Sequence, residues 1–227
     1  MRDVSELVDA YVAVWNEPDA AVRRRRIEAV WTPDGTSRHR LIDAGGYDTI
    51  EARVTGSWDK WVSGGRHAFR RRHAVAHHDV VKLEFVMVAL PSGAVVANGL
   101  SFLILDHDGR IRHDLQFNPS ADDASALVER YVALVNEPDG TARRRQLAAL
   151  WTEDGSLIDE AAVRRGHDNL AAALGARGVA FASAGATQAH HNLIKFRWRA
   201  GAIAGTELLM LDPAGRIRLD YRFTEAA

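Results

Sequence analysis

Ten histidines and not one cysteine bound the chemistry open to this chain of 227 residues. Disulfides, thiolate metal sites and cysteine nucleophiles are excluded. Histidine titrates near neutrality and serves as base, acid or metal ligand. Four of the ten form two adjacent pairs, His77-His78 and His190-His191. Neighbours on a strand point to opposite faces, so neither pair readily shares one ion, and no HxH or HExxH pattern supplies a metal site. No metal is expected. Parity along a strand sets His77 with Val81, Leu83 and Phe85, and His190 with Ile194, Phe196 and Trp198. His77 and His190 should therefore face an apolar interior, either lining a working cavity or as satisfied core residues. His78 and His191 run with Lys82 and Lys195 on the other face.

Neither GxGxxG nor GxxxxGK[ST] occurs, so no cofactor is expected and any chemistry is acid–base chemistry carried by the protein itself. A formal net charge of −1 suits a nucleic-acid partner poorly. The arginines at 23–26 and 143–145 spread around a helix rather than forming a stripe, which reads as a solvated face. No run approaches 18 apolar residues, and the first residues, Met1 to Glu6, hold acids and no apolar signal core. The expectation is a cytoplasmic protein with no membrane partner. With 47% hydrophobic residues the chain can bury a core in each half. Homo-oligomers are left open.

The elements that must position these residues occur twice. Residues 11–35 and 131–155 are identical at 15 of 25 positions without a gap. The match continues from Gly46-Tyr47-Asp48 to Gly166-His167-Asp168, between the His pairs, and from Gly109-Arg110-Ile111-Arg112 to Gly215-Arg216-Ile217-Arg218. The offset drops from 120 to 113 and then to 106, so the second copy has lost 7 residues twice, expected in the arms or loops of adjacent strands. Such a period marks a duplicated unit. Two domains follow, 1–119 and 120–227, with the boundary in the polar stretch Pro119 to Asp123.

Each unit opens with helical spacing, Leu7, Val8, Tyr11, Val12, Val14 and Trp15 in the first. Asn16-Glu17-Pro18-Asp19 breaks it, and a second helix carries Val22, Ile27, Val30 and Trp31 to an end at Asp34-Gly35. A third helix is expected over 48–62. Beyond it come antiparallel strands, with Val81, Leu83, Phe85 and Met87 on one face and Ile111, Leu115 and Phe117 on another. Asp106 to Gly109 reads as a hairpin turn.

The Tyr-Val-Ala-Leu-type first helix, the Asn-Glu-Pro-Asp break, the Trp-Thr-x-Asp-Gly segment and the Gly-Arg-Ile-Arg hairpin together resemble the SnoaL-like polyketide-cyclase group of the nuclear-transport-factor-two-like superfamily. The resemblance implies an α+β fold. Each unit would be a curved antiparallel sheet packed on three helices to form a cone, and the two would pair as a pseudo-dimer. Arg218, Asp220 and Arg222 would lie at or near the contact. The group includes cyclases, isomerases, dehydratases and hydrolases as well as modules without catalysis, so fold alone does not select among them. The second unit further resembles ketosteroid isomerase, in which a neutral carboxylic acid acts as a hydrogen-bond donor, at three positions. Tyr131 matches its oxyanion-binding tyrosine, Asp159 its general base, and Glu207 its protonated acid. At the equivalent positions the first unit has Tyr11, His39 and Ser101. Its candidate groups are Tyr11, His39, His77 and His113. In the second unit they are Tyr131, Asp159, Glu207 and His190. Trp15, Trp58, Trp61 and Phe85 in one unit, and Phe196 and Trp198 in the other, are candidate substrate-lining side chains or simply core. Two readings result: cofactor-independent acid–base catalysis on an apolar polyketide-like substrate, or a non-catalytic ligand-binding or assembly module.

Overall fold

The computed structural model describes residues 3–39, 41–117, 124–175 and 179–226. The chain divides into two compact units, Met1–Pro119 and Ser120–Ala227. The stretch expected to hold the boundary, 119–123, lies outside the described residues. Unit 1 runs α1 (Val4–Asn16), α2 (Ala20–Val30), β1 (Trp31–His39), β2 (Ile42–Gly45), α3 (Tyr47–Ser57), β3 (His67–His77), β4 (Val80–Ala89), β5 (Val95–Leu105) and β6 (Ile111–Phe117). Unit 2 repeats it as α4 (Ser125–Asn136), α5 (Gly140–Leu150), β7 (Trp151–Ile158), β8 (Val163–Arg165), α6 (His167–Ala173), β9 (Phe181–His190), β10 (Leu193–Ala200), β11 (Ile203–Leu211) and β12 (Ile217–Ala226). Each unit has one six-stranded sheet, in the orders β2-β1-β6-β5-β4-β3 and β8-β7-β12-β11-β10-β9. Neighbouring strands are antiparallel except β1 with β6 and β7 with β12. Two tandem α+β units are what the repeat and the resemblance implied. Among the described residues no helix is long and apolar enough to cross a membrane.

The Asn-Glu-Pro-Asp segments explain how the first two helices of each unit are set. Asp19 and Asp139 cap α2 and α5, taking the N–H of Val22 at 2.8 Å and of Ala142 at 2.6 Å. Asn16 donates to the Phe69 carbonyl and accepts its N–H, each at 2.8 Å, tying the end of α1 to β3. Asn136 holds Phe181 the same way. Within the arginine runs, Arg23 is buried and donates to the Glu17 carbonyl at 2.7 Å, as Arg143 does to Glu137 at 2.6 Å. These two arginines satisfy carbonyls of the helix–helix turn rather than facing water.

Several local expectations are corrected. The second helix stops at Val30, and Trp31 begins β1. The Asp34-Gly35 turn is a register shift inside that strand, where a Cβ on Gly35 would meet the Thr32 carbonyl at 2.9 Å. The helix expected over 48–62 is α-helical to Ser57 and continues as a π-helical turn over Trp58–Val62. Unit 2 has no counterpart to that turn among the described residues, so one of the two losses shortens the third helix, not a strand arm. The other shortens the β4–β5 hairpin.

Strand parity is corrected twice. His78 and Asp79 form the β3–β4 turn, with His78 at φ +50°, and His77 pairs with Val80. A two-residue turn advances the count by three, so His77 lies on the face of Val80 and Lys82 and not on that of Val81, Leu83 and Phe85. The same holds for His190, which pairs with Leu193. In β6, Ile111 belongs to the helix-covered core, but the register shifts before His113. Leu115 and Phe117 therefore face away from Ile111, and Asp114 and Gln116 face inward.

Candidate functional site

Register assembles the inner face of unit 1 from residues far apart in sequence. Ser101 pairs with Leu83 and Gln116, and Asp114 with Leu103 and Ser37. Leu83 and Leu103 belong to the helix-covered core, so Ser37, Ser101, Asp114 and Gln116 share that face. Tyr11 reaches it from α1 and Arg53 from α3. The Tyr11 hydroxyl donates to Asp114 Oδ2 at 3.0 Å, and the Ser37 hydroxyl donates to the same oxygen at 2.6 Å. Gln116 donates its amide N–H to the Tyr11 oxygen at 2.9 Å, and Ser101 Oγ lies 3.3 Å from that oxygen. Arg53 donates to Ser37 Oγ and, at 2.6 Å, to Gln116 Oε1. Its guanidinium stands 5.3 Å over the Trp15 ring and 4.0 Å from the Asp114 carboxylate.

The cluster is desolvated in depth order. Asp114, Ser37 and Ser101 have no exposure, Tyr11 has 2%, and Gln116 has 8%. The Arg53 side chain is 5% exposed, so Arg53 and Gln116 are its outermost members. Burial pushes the Asp114 carboxyl above the usual range, and the Arg53 charge and the Ser37, Tyr11 and Ser101 hydroxyls only partly offset it. Burial, followed by the Asp114 charge, pushes the Tyr11 phenol up as well. A carboxyl so placed keeps its proton to higher pH than an exposed aspartate, with neutral donors fixing its orientation.

Unit 2 builds a different interior on the same frame. Tyr131 donates to Asp220 Oδ2 at 2.6 Å, and Arg222 donates to the Tyr131 oxygen at 2.9 Å and to Glu207 Oε1 at 2.5 Å. Arg222 lies 5.6 Å from the Trp198 ring and 5.9 Å from that of Phe181, and those rings stack at 5.1 Å. Phe196 packs on Tyr131 at 5.4 Å. Arg222 is 2% exposed and Glu207 and Asp220 not at all. Burial raises both carboxyls, and the single Arg222 charge opposes it. One cation facing two buried carboxylates calls for one proton held by the acid pair.

Sequence-based candidates thus divide. Tyr11, Tyr131 and Glu207 join the clusters, and Trp15 backs Arg53. The Tyr131 hydroxyl bonds to Asp220 and Arg222, and Asp159 acts on that cluster through its charge, which raises the Asp220 carboxyl. Asp159 sits in the β7–β8 turn, accepting the N–H groups of Ala161 at 3.0 Å and Ala162 at 2.9 Å and pairing with Arg164 at 2.7 Å. Burial works to raise its carboxyl, but those donors hold it below its ordinary value, the wrong direction for a base near neutrality. His39 ends β1, its Nδ1 taking the Leu41 N–H at 3.1 Å. His113 pairs with Ile104 on the opposite face from Asp114, its Nδ1 2.9 Å from Thr36 Oγ1. Phe85 lies over Gly99, where a Cβ would be 2.2 Å from the ring. Trp58 packs under Arg23 at 5.5 Å, and Trp61 is 38% exposed beside Lys60 and His67, so neither floors the cluster. Arg218 is exposed, whereas Asp220 and Arg222 turn into the interior of unit 2.

Asp114, Arg53, Ser37 and Gln116 were not foreseen, and Asp220 and Arg222 were expected at a contact rather than inside a buried cluster. One signal was available: Gly-Arg-Ile-Arg is followed by Asp one residue further on in both copies, at Asp114 and Asp220. An aspartate retained at the same place in both repeats marks a shared anchor.

No family model and no curated protein matches the chain. Solved structures do resemble it. A SnoaL-like family protein from Agrobacterium tumefaciens str. C58 covers 53% of this chain with its whole length, at 22% identity and a TM-score of 0.48. A SnoaL-like polyketide-cyclase-type protein from Jannaschia sp. CCS1 covers 51% with 86% of its own length, at 17% identity and a TM-score of 0.40. A protein of ketosteroid-isomerase-like fold from Catenulispora acidiphila DSM 44928, in complex with trimethylamine, covers 49% with 84% of its length, at 17% identity and a TM-score of 0.39. Each covers about half of this chain.

Proposed function

We propose that unit 1 is the working half, a cofactor-independent acid–base site for an apolar carbonyl compound. The observation that carries this reading is the Tyr11–Asp114 hydrogen bond beside a carboxyl lifted by burial. Asp114 takes a proton from carbon next to the substrate carbonyl and returns it elsewhere. Tyr11 and Ser37 orient the carboxylate. Gln116 and Arg53, outermost in the cluster, donate to the oxygen on which negative charge develops. That one step underlies isomerisation, dehydration and cyclisation alike. Unit 2 is the companion: Arg222, Phe181 and Trp198 occupy its interior, and its acids are committed to Arg222.

The experiment is turnover, or proton exchange into deuterated solvent, of apolar cyclic ketones by the full chain and its variants. Asp114→Asn is expected to lower the rate by about 10²-fold or more, the usual contribution of a positioned acid–base group. A rate unchanged in Asp114→Asn but abolished by Tyr131→Phe would overturn the assignment to unit 1. Binding without turnover by the intact chain would favour the non-catalytic ligand-binding reading.

A further inference from the structure

We infer that the ligand of unit 1 carries a carboxylate of its own and that Arg53 is its counter-ion. This rests on the placement of the working site in unit 1 and narrows its substrate class to apolar oxo acids. Among the described residues each polar cluster holds one arginine, but from different elements. Arg222 rises from β12, where β6 has Gln116, and Arg53 comes from α3, where α6 has Ala173. Arg222 faces two carboxyl groups, Glu207 and Asp220. In unit 1 the place of Glu207 is taken by Ser101, so Arg53 faces a single carboxylate. That carboxylate, Asp114, is 4.0 Å away and takes its hydrogen bonds from Tyr11 and Ser37. The Arg53 donors go to neutral oxygens, those of Ser37 and Gln116.

A buried guanidinium is best compensated by a carboxylate in hydrogen-bonding contact. Arg222 has one in Glu207 at 2.5 Å, whereas the carboxylate facing Arg53, that of Asp114, stands 4.0 Å away and takes its hydrogen bonds from other groups. Arg53 is also at the right depth to receive one. Its side chain is among the outermost of the cluster, it stacks on Trp15, and its planar fork accepts a carboxylate bidentately. An apolar acid entering over Trp15 would put its carboxylate on Arg53 and its adjacent carbon toward Asp114.

The test is calorimetric titration of the full chain with 4-phenylbutanoate and with its neutral amide, 4-phenylbutanamide. The acid is expected to bind at least about tenfold tighter, because hydrogen bonds to charged groups are the stronger kind. Arg53→Gln is expected to bring the two affinities together, Arg53→Lys to keep part of the difference, and Arg25→Gln, a surface change, to keep all of it. Equal affinities in the unaltered chain, binding of neither compound, or a preference that survives Arg53→Gln would overturn the inference. If Arg53→Gln does not fold, Arg53→Lys and the unaltered chain still decide. Equal binding together with a dead Asp114→Asn would sink the carboxylate inference and leave the acid–base reading standing. A clear preference with a fully active Asp114→Asn would do the reverse.

Discussion

Gln116 and Arg222 occupy one place in the repeat, and each pairs across the sheet with the residue that sets its surroundings, Ser101 in unit 1 and Glu207 in unit 2. The two exchanges are matched. A neutral amide stands beside a hydroxyl, and a guanidinium beside a carboxylate. Removing Arg222 alone strands two buried carboxyls, so Arg222→Gln should cost about 3–5 kcal/mol. The double variant Glu207→Ser with Arg222→Gln, which copies unit 1, should cost clearly less than the sum of its single changes. Urea unfolding of the three variants measures the coupling, and strict additivity would show that the pair does not act as a unit.

Tyr11→Phe keeps the ring in place and removes the hydroxyl that serves Asp114 and Gln116. A loss of about 1–3 kcal/mol is expected, because a buried carboxylate loses one donor. Pairing it with Asp114→Asn should give less than the two separate losses combined, again by urea unfolding.

The Asp114 carboxyl is raised by burial, which fixes the sign of its pH dependence. The folded state holds the proton to higher pH than the unfolded chain. Its contribution is therefore fully present below the ordinary aspartate range and is lost as pH rises through the folded value. Asp114→Asn should flatten the decline in stability with rising pH over that window. Asp159 has the opposite sign, since its carboxyl is lowered and its contribution disappears as pH falls. Thermal unfolding from about pH 3 to about pH 8 for both variants separates the two.

Two glycines lie under aromatic rings at equivalent positions, but with different room to yield. A Cβ on Gly205 would meet the Phe223 carbonyl and the Trp198 ring, each at 2.4 Å, with Trp198 1% exposed. The three atoms nearest a Cβ on Gly99 all belong to the half-buried Phe85 ring, the first at 2.2 Å. Gly205→Ala should cost about 1–3 kcal/mol or more as overpacking against backbone, and Gly99→Ala less, because the Phe85 ring can swing away. Midpoints of thermal unfolding check the order.

Asp159→Asn should leave turnover unchanged and cost no more than about 1 kcal/mol, the usual worth of a partly exposed ion pair. The Asn side chain can still accept the N–H groups of Ala161 and Ala162. A turnover loss comparable to that of Asp114→Asn would restore Asp159 as the base.

Much of the fold was legible. The duplication, the capping aspartates Asp19 and Asp139, the Gly109 and Gly215 hairpins and the inward row Val81, Leu83 and Phe85 are all written in residues close together. The candidate site was legible only in part. Tyr11 and Tyr131 lie on helices whose apolar stripe shows which way they face. Asp114 and Asp220 follow an irregularity in their strands, and counting by twos from Ile111 or Ile217 puts them on the wrong face.

By itself, then, the chain determined two copies of one α+β unit, because helix caps, turns and periodicity act over a few residues. Which polar groups those units bury was decided only by tertiary structure. A two-residue turn after His77 puts that residue on the face opposite Val81 and Leu83, and a bulge before His113 turns Asp114 inward. Arg53 and Asp114, 4.0 Å apart, come from a helix and a strand separated by about half of the unit. Only the register of six strands and the packing of α3 over them brings that charge and that acid into one apolar interior, where desolvation makes each depend on the other.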